Sequence, residues 1–94
     1  MPCTTPLFSL GQIVATPGAL AALETAGQDA REFLRRHVCG DWGDLSDDDR
    51  KENDFSVTRP LRILSAYQLT TSERLWIITE ADRSVTTLLL PTEY

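Results

Sequence analysis

Three side chains that can take part in nucleophilic catalysis lie within five positions of the sequence. His37, Cys39 and Asp41 supply an imidazole, a thiol and a carboxylate. A catalytic thiolate needs a neighbouring base, and that base is normally oriented by a third group. One hypothesis is therefore a small thiol-dependent hydrolase or transferase. The alternative is structural, because His37 lies on an apolar helical stripe and no family signature surrounds Cys39. We assign no catalytic residue.

Acidic residues are concentrated in the middle of the chain. Fourteen consecutive residues contain seven carboxylates, namely Asp41, Asp44, Asp47, Asp48, Asp49, Glu52 and Asp54. Their spacing does not match the calcium-binding loop of an EF-hand, and two Cys with one His lack the paired ligands of a zinc site. We therefore predict neither a metal nor a cofactor. The segment is typical of a solvated acidic face, or of a surface that meets a basic partner.

A charged turn near the C-terminus and a glycine-flanked tryptophan are further candidates. Turn chemistry accounts for Asp82, and an ion pair with Glu80 or Asp82 would account for Arg83. Alternatively, Arg83 could bind a carboxylate or phosphate through its forked guanidinium. Trp42 is either a plug over the edge of the core or a platform for a ligand. The candidate interaction residues are Asp41, Trp42, Asp47, Asp48, Asp49, Glu80, Asp82 and Arg83.

Helix signals fill the N-terminal half, after a short extended segment at residues 10–15. Thr16 and Pro17 predict a helix over 17–26 that Gly27 ends, with Leu20 and Leu23 facing inward. Asp29 begins a second helix that reaches about residue 38. Its apolar stripe consists of Ala30, Phe33, Leu34, His37 and Val38. A short third helix follows Ser46 and ends near Asn53.

The sequence periodicity changes after Pro60. Residues 62–69, 75–80 and 85–90 are rich in β-branched, aromatic and aliphatic side chains, and short polar segments separate them. We therefore predict an α+β fold in which an αα-hairpin and a short third helix pack on a C-terminal three-stranded antiparallel β-meander. Alternation places Ile63, Ser65, Tyr67 and Leu69 on one face of the first strand.

Composition restricts the general class of protein. The 94 residues are 41% hydrophobic and 24% charged, which fits one globular domain over 1–94. No secretory leader and no apolar run of ~20 residues is recognised, so we expect a cytoplasmic protein that does not enter a membrane. Reduced thiols at Cys3 and Cys39 are simpler than a disulfide in that compartment. Edge pairing between copies of the predicted sheet would make a homodimer.

The charge disfavours direct binding to nucleic acid. A net charge of −5 repels a phosphate backbone, and no Lys/Arg-rich run offsets it. A DNA-associated accessory factor is still an alternative hypothesis if five arginines form a local basic patch. These are Arg31, Arg35, Arg36, Arg59 and Arg62.

Several motifs after residue 30 occur together in a known family. They are Phe33-Leu34, Gly40-Asp41-Trp42-Gly43, Asp49, Asn53, Arg62-Ile63-Leu64-Ser65-Ala66-Tyr67, Trp76-Ile77-Ile78-Thr79-Glu80-Ala81-Asp82-Arg83, Thr86-Thr87 and Leu89-Leu90-Pro91-Thr92-Glu93-Tyr94. In these motifs, which cover most of the chain after residue 30, the chain resembles a family of small plasmid-related proteins carried by bacterial plasmids and other integrating mobile elements. No catalytic role can be transferred from this family. The resemblance implies an accessory protein of mobile DNA that modulates host defence, replication or transfer.

These observations favour a non-enzymatic interaction protein of a mobile genetic element. It would bind and modulate a host or element-encoded protein through its acidic or charged-turn surface. Host-defence inhibitors of the anti-CRISPR type have this size and charge. The partner is expected to be a protein.

Overall fold

The computed structural model describes residues 5–94. Within that range the chain forms four strands, three α-helices and one 3-10 turn. In order they are β1 (Gln12–Ala15), α1 (Pro17–Ala26), α2 (Ala30–Val38), α3 (Asp47–Ser56), β2 (Ile63–Gln68), β3 (Arg74–Thr79), β4 (Val85–Leu89) and the turn Pro91–Glu93. The question of a Cys3–Cys39 disulfide lies outside the described residues.

The described strands form one mixed sheet in the order β1-β4-β3-β2. β2 pairs with β3 and β3 with β4 in antiparallel fashion, whereas β1 runs parallel to β4. The predicted three-stranded antiparallel meander is therefore wrong. The segment that the sequence indicated only as extended is a fourth strand, and all three helices lie between it and β2 in the chain. Parallel strands are joined by long connections and not by a tight turn, so no local turn signal predicts that β1 pairs with β4.

The first two helices begin and end through the signals that the sequence contains. The Thr16 side chain accepts a hydrogen bond from the Ala19 N–H, and Gly27 ends α1 with a φ of 67°. The Asp29 side chain caps α2 by accepting from the Arg31 N–H. A left-handed residue after a helix is easiest for glycine, which explains the position of Gly27.

Two details of the helices differ from the prediction. Leu20 is 55% exposed, because Ala19, Ala22 and Leu23 form the buried face of α1. The third helix continues to Ser56 instead of ending near Asn53. Asn53 lies inside the helix and directs its side chain at β2.

The core lies between one face of the sheet and the first two helices. Its buried side chains are Ala19, Ala22, Leu23, Phe33, Leu34, Tyr67, Leu69, Leu75, Ile77 and Leu88. α1 packs against β4, and both α1 and α2 contribute side chains to this core. Burial of apolar area drives the packing of the helices on the sheet.

Candidate functional site

His37 is fully buried and lies in a network of hydroxyl groups. Its Nδ1 atom is 2.5 Å from the Ser65 hydroxyl, and its Nε2 atom is 2.9 Å from the Thr79 hydroxyl. Thr79 contacts the hydroxyl of Thr86, which donates to the Leu10 carbonyl. β2, β3 and β4 place these three hydroxyl residues on the sheet face that the helices cover.

The donor directions in this network follow from the Leu10 carbonyl, which can only accept. Thr86 donates its single hydroxyl proton there, so it accepts from Thr79. Thr79 then accepts from Nε2–H of His37, which leaves Nδ1 to accept from Ser65. Burial lowers the pKa of His37 from 6.5 to about 3, with a smaller contribution from the Arg83 charge. His37 is therefore a neutral structural group with both ring nitrogens used.

The hypothetical catalytic trio is not assembled. The Asp41 carboxylate bonds to the Arg36 guanidinium, with Nε 2.7 Å from Oδ2, and accepts a hydrogen bond from the Gly43 N–H. This bond to Arg36 lowers the pKa of Asp41. Asp41 therefore does not orient His37, whose ring bonds elsewhere. Cys39 follows α2 and is not a free thiol in the described structure.

Trp42 occupies the plug position rather than a platform. Its side chain is buried, and its indole N–H donates to the Asp54 carboxylate at 3.0 Å. The ring stacks against Phe8 and meets His37 edge-on, with centroids 6.2 and 5.9 Å apart. Trp42 therefore closes the core above the His37 network and offers no face to a partner.

Arg83 is bound by the protein's own backbone. Its guanidinium donates to five carbonyl oxygens, those of Ser56, Arg59, Leu61, Glu80 and Ala81. Neither the predicted ion pair nor an anion site is formed, because the forked donors face carbonyl groups. Ser56 ends α3, so the positive charge also lies at the negative end of that helix. Arg83 adopts a φ of 60°, a conformation uncommon for residues other than glycine.

The other charged residues of the turn have local partners. Asp82 accepts from both the N–H and the hydroxyl of Ser84, and the hydroxyl contact lowers its pKa. Glu80 lies 3.5 Å from Arg62 in a partly exposed ion pair. The charged side chains of the turn therefore bond to groups of the same chain.

Asn53 seals the outer edge of β2 together with the glycine-flanked loop. Its amide nitrogen donates to the Leu64 carbonyl at 2.6 Å, and its oxygen accepts from the Leu64 N–H at 3.3 Å. Further along the strand, the Ala66 N–H donates to the Trp42 carbonyl, and the Ala66 carbonyl accepts from Asp44. These bonds satisfy the outward backbone groups of both residues.

The five arginines of the DNA hypothesis do not form one patch. Arg36 lies over the ring of Tyr67, with its guanidinium carbon 4.6 Å from the centroid. Arg62 lies just before the start of β2, five residues before Tyr67, and five residues of strand span roughly 16 Å. Arg31 pairs with Asp29, and Arg62 pairs with Glu80. The described arrangement therefore spreads these charges and neutralises several of them.

Asp47, Asp48 and Asp49 behave differently from the rest of the candidate set. They follow the N-cap Ser46 in the first turn of α3, where negative charge suits the helix dipole, and all three are exposed. The charged turn is fixed at the other end of the helix through Arg83 and Ser56, about 15 Å away for ten residues. The predicted residues therefore lie in separate places, and only the three aspartates of α3 are both exposed and without a side-chain partner among the described residues.

Two shallow depressions flank a ridge formed by Asp48 and Glu52, which are one helical turn apart. One depression has a volume of about 320 Å³ and lies between α3 and β2, lined by Leu45, Asp48, Asp49, Glu52, Asn53 and Leu64. The other has a volume of about 550 Å³ and is lined by Asp48, Lys51, Glu52 and Phe55. We call this region the acidic ridge. It combines carboxylate walls with apolar side chains that are partly open to solvent.

The described residues show no further feature that identifies a ligand for this region. No group of three or more His, Cys, Asp or Glu among residues 5–94 could hold a metal ion. None of the helices in that range is long and apolar enough to cross a bilayer. Comparisons of the chain with family models, with curated proteins and with solved structures find no match. The functional evidence is therefore the geometry and charge of the described residues.

Proposed function

We propose that the chain is a non-enzymatic protein-interaction domain that binds a basic segment of a partner protein at the acidic ridge. The observation that supports this most directly is the difference in use of the charged side chains. Asp41 and Arg83 bond to groups of the same chain, whereas Asp47, Asp48 and Asp49 are exposed and bear no ion pair within the described residues.

The buried network argues against an enzyme built on His37. Ser65 donates to the imidazole as a nucleophile would, but both residues are fully buried. A catalytic base must reach the proton of a bound substrate, either directly or through one water. The phenyl ring of Phe8 lies edge-on to His37, at 5.1 Å between centroids, and Trp42 covers it from another side. No substrate atom can approach in this arrangement.

The shape and chemistry of the ridge define the kind of partner. The apolar floor near Leu45 and Leu64 would contact aliphatic or aromatic side chains, while Asp48, Asp49 and Glu52 would pair with lysine or arginine. An amphipathic basic segment carries both features. Because the ridge carboxylates are exposed, the contact should form quickly and weaken as salt screens the charges.

The resemblance to plasmid-related proteins supplies the biological setting of this proposal. In that setting the partner is a protein of the host or of the mobile element, and a basic partner could be one that normally holds nucleic acid. A defence inhibitor of the anti-CRISPR type would act by occupying such a basic surface. This part of the proposal rests on the resemblance, whereas the binding surface rests on the geometry.

The test uses two variants with the same change in net charge. Asp48→Asn with Glu52→Gln neutralises the ridge, and Glu24→Gln with Glu73→Gln neutralises two exposed carboxylates elsewhere. Each tagged protein is used to capture partners from a lysate of a plasmid-bearing bacterial host, at low and at high salt. We expect the wild type and the Glu24/Glu73 variant to retain the same salt-sensitive partner, and the ridge variant to lose it.

Binding of the identified partner is then measured with purified proteins. A loss of at least tenfold in affinity for the ridge variant, against less than twofold for the control, would support the ridge as the binding site. Equal retention by both variants would refute it. A partner that is lost equally from both variants would indicate a general charge effect and would also count against the ridge.

A further inference from the structure

The rest of the chain covers one edge of the sheet and leaves the other edge open. The β2 edge is closed, because Asn53 bonds both backbone groups of Leu64 and the loop carrying Trp42 bonds both groups of Ala66. The other edge is β1, in which three of four residues are exposed. Ile13 and Val14 are 49% and 38% exposed, unusual values for apolar side chains of a strand in a small domain. An open edge strand is a template for pairing with another strand.

The ladder between β1 and β4 shows which backbone groups of β1 face outward. Gln12 N–H donates to the Ser84 carbonyl and Thr16 N–H donates to the Leu88 carbonyl, so even-numbered residues direct their backbone at β4. Ile13 and Ala15 therefore direct their N–H and C=O groups away from the sheet. No backbone or side-chain group among residues 5–94 bonds to these outward groups of Ile13 and Ala15.

We propose that β1 pairs antiparallel with β1 of a second copy of this chain, on a two-fold axis that passes between the two Val14 residues. In that register Ile13 of one copy faces Ala15 of the other, and each such pair exchanges two backbone hydrogen bonds. The two Val14 side chains then meet as a non-hydrogen-bonded pair, in which Cα atoms lie about 4.5 Å apart. The two sheets become one sheet of eight strands.

The distribution of charge favours a second copy as the occupant. Each copy carries a net charge of −5, so most orientations of two copies are repulsive. Residues 5–23, which include β1 and most of α1, contain no charged side chain. Two copies that approach along β1 therefore bring uncharged segments together and keep both acidic ridges away from the contact. β1 also lacks the lysine, proline or bulge with which edge strands usually prevent such pairing.

The contact is small, so the association should depend on concentration. A strand of four residues provides four intermolecular hydrogen bonds, and stable dimers usually bury ~1,200 Å² or more. We expect a monomer of 10.5 kDa at low micromolar concentration and about twice that mass near ~500 μM, by sedimentation equilibrium. A mass that stays at 10.5 kDa across this range would overturn the proposal.

Cysteine cross-linking tests the register. Val14→Cys places two thiols across the proposed axis, within the Cα separation that a disulfide requires. Gln12→Cys is the matched control, because its two copies would lie roughly 13 Å apart in the same register. Under mild oxidation we expect a covalent dimer on a non-reducing gel for Val14→Cys only. Equal cross-linking of both variants would contradict this register.

A proline variant separates the dimer from the stability of the monomer. Ile13→Pro removes an outward N–H and no bond to β4, so it should abolish the dimer with little change in the melting temperature. Val14→Pro removes a bond within the sheet and should lower the melting temperature. Dimerisation that survives Ile13→Pro would refute the pairing. The ridge variant should dimerise like the wild type, so failure of this proposal and failure of the proposed function are distinguishable.

Discussion

The charged and polar residues around the sheet differ from those on α3 in what they bond to. Around the sheet, His37, Asn53 and Arg83 each make two or more hydrogen bonds to groups of the same chain. On the first turns of α3, Asp48 and Glu52 are exposed and pair with no described cation. Side chains with catalytic potential are therefore not evidence of catalysis when their bonds are satisfied internally. The unpaired surface charges are the better candidates for function.

Arg83 should give the largest effect among the inner residues. Arg83→Ala leaves several carbonyl groups around Ser56 and Leu61 without their donor, in a partly buried position. Hydrogen bonds to charged groups are worth about 1.5–3 kcal/mol each and are not additive, so we expect a loss of roughly 3 kcal/mol in the free energy of unfolding. Urea denaturation measures this loss.

Two further variants separate the causes of the Arg83 effect. Arg83→Gly also removes the guanidinium but relieves the positive φ, so it should be less destabilising than Arg83→Ala by roughly 1 kcal/mol. Arg74→Ala removes an exposed arginine of β3 and should change stability by less than about 0.5 kcal/mol. An Arg83→Ala variant as stable as Arg74→Ala would contradict the structural role of the five bonds from Arg83 to backbone carbonyls.

The buried imidazole should make the fold sensitive to mild acid. The unfolded chain protonates His37 near pH 6.5, whereas the folded chain does so only near pH 3. The unfolded state therefore binds more protons below pH 6.5, and stability falls as the pH drops toward 3. Between pH 7.5 and 5 the expected loss is about 2 kcal/mol, before most carboxylates titrate.

Substitution of His37 provides the check on that assignment. His37→Gln should be less stable than the wild type at neutral pH, because the bonds to Ser65 and Thr79 are disturbed. Its free energy of unfolding should nevertheless stay nearly constant from pH 7.5 to 5. A wild type whose stability is equally constant over this range would show that His37 is not buried as a neutral group.

Asn53 tests whether the edge of β2 is held by its side chain. Asn53→Ala removes both bonds to Leu64 and should cost about 1–2 kcal/mol. Asn53→Asp keeps an acceptor for the Leu64 N–H but places a carboxylate against the Leu64 carbonyl, so it should be at least as destabilising. Chemical denaturation at neutral pH distinguishes the two, and an Asp variant as stable as the wild type would contradict this geometry.

The acidic ridge should give the smallest effect on stability. Neutralising Asp48 and Glu52 removes no hydrogen bond within the described chain, and the N-cap Ser46 is kept. We expect a change of less than about 0.5 kcal/mol in the free energy of unfolding. A larger loss, measured in the same denaturation experiment, would show that these carboxylates stabilise the fold. It would weaken the contrast between α3 and the residues around the sheet.

Local signals in the sequence predict the helices well. Thr16, Gly27, Asp29 and Ser46 act at the helix ends as their side chains or backbone preferences dictate. The alternation that places Ser65 and Tyr67 on the inward face of β2 is also confirmed. The place of Gln12–Ala15 in the sheet could not be found in this way, because its partner β4 is remote in sequence and its own residues are mostly exposed.

The candidate site was harder to predict than the helices. Asp41 and Arg83 can be recognised as charged candidates in the sequence, but their partners cannot. The partners of Arg83 are five backbone carbonyls, and a backbone carbonyl is present at every residue, so no sequence pattern marks them. The hydroxyl network was missed because Ser65, Thr79 and Thr86 come from three strands. One signal was present, since hydroxyl residues lie at inward positions of otherwise apolar strands. Among the exposed candidates, Asp41 and Asp82 bond to groups of the same chain, and only the three aspartates at the start of α3 have no side-chain partner among residues 5–94.

The parallel pairing of β1 with β4 has a consequence for the order in which the fold assembles. About 70 residues separate the two strands, whereas short turns connect β2 to β3 and β3 to β4. Closing the long loop costs more entropy than closing the short ones, so the two hairpins should form early and β1 should dock late. Native-state hydrogen exchange should accordingly release the amides of Gln12 and Val14 before those of Ile77. The strand that completes the sheet would then also be the first to detach from it.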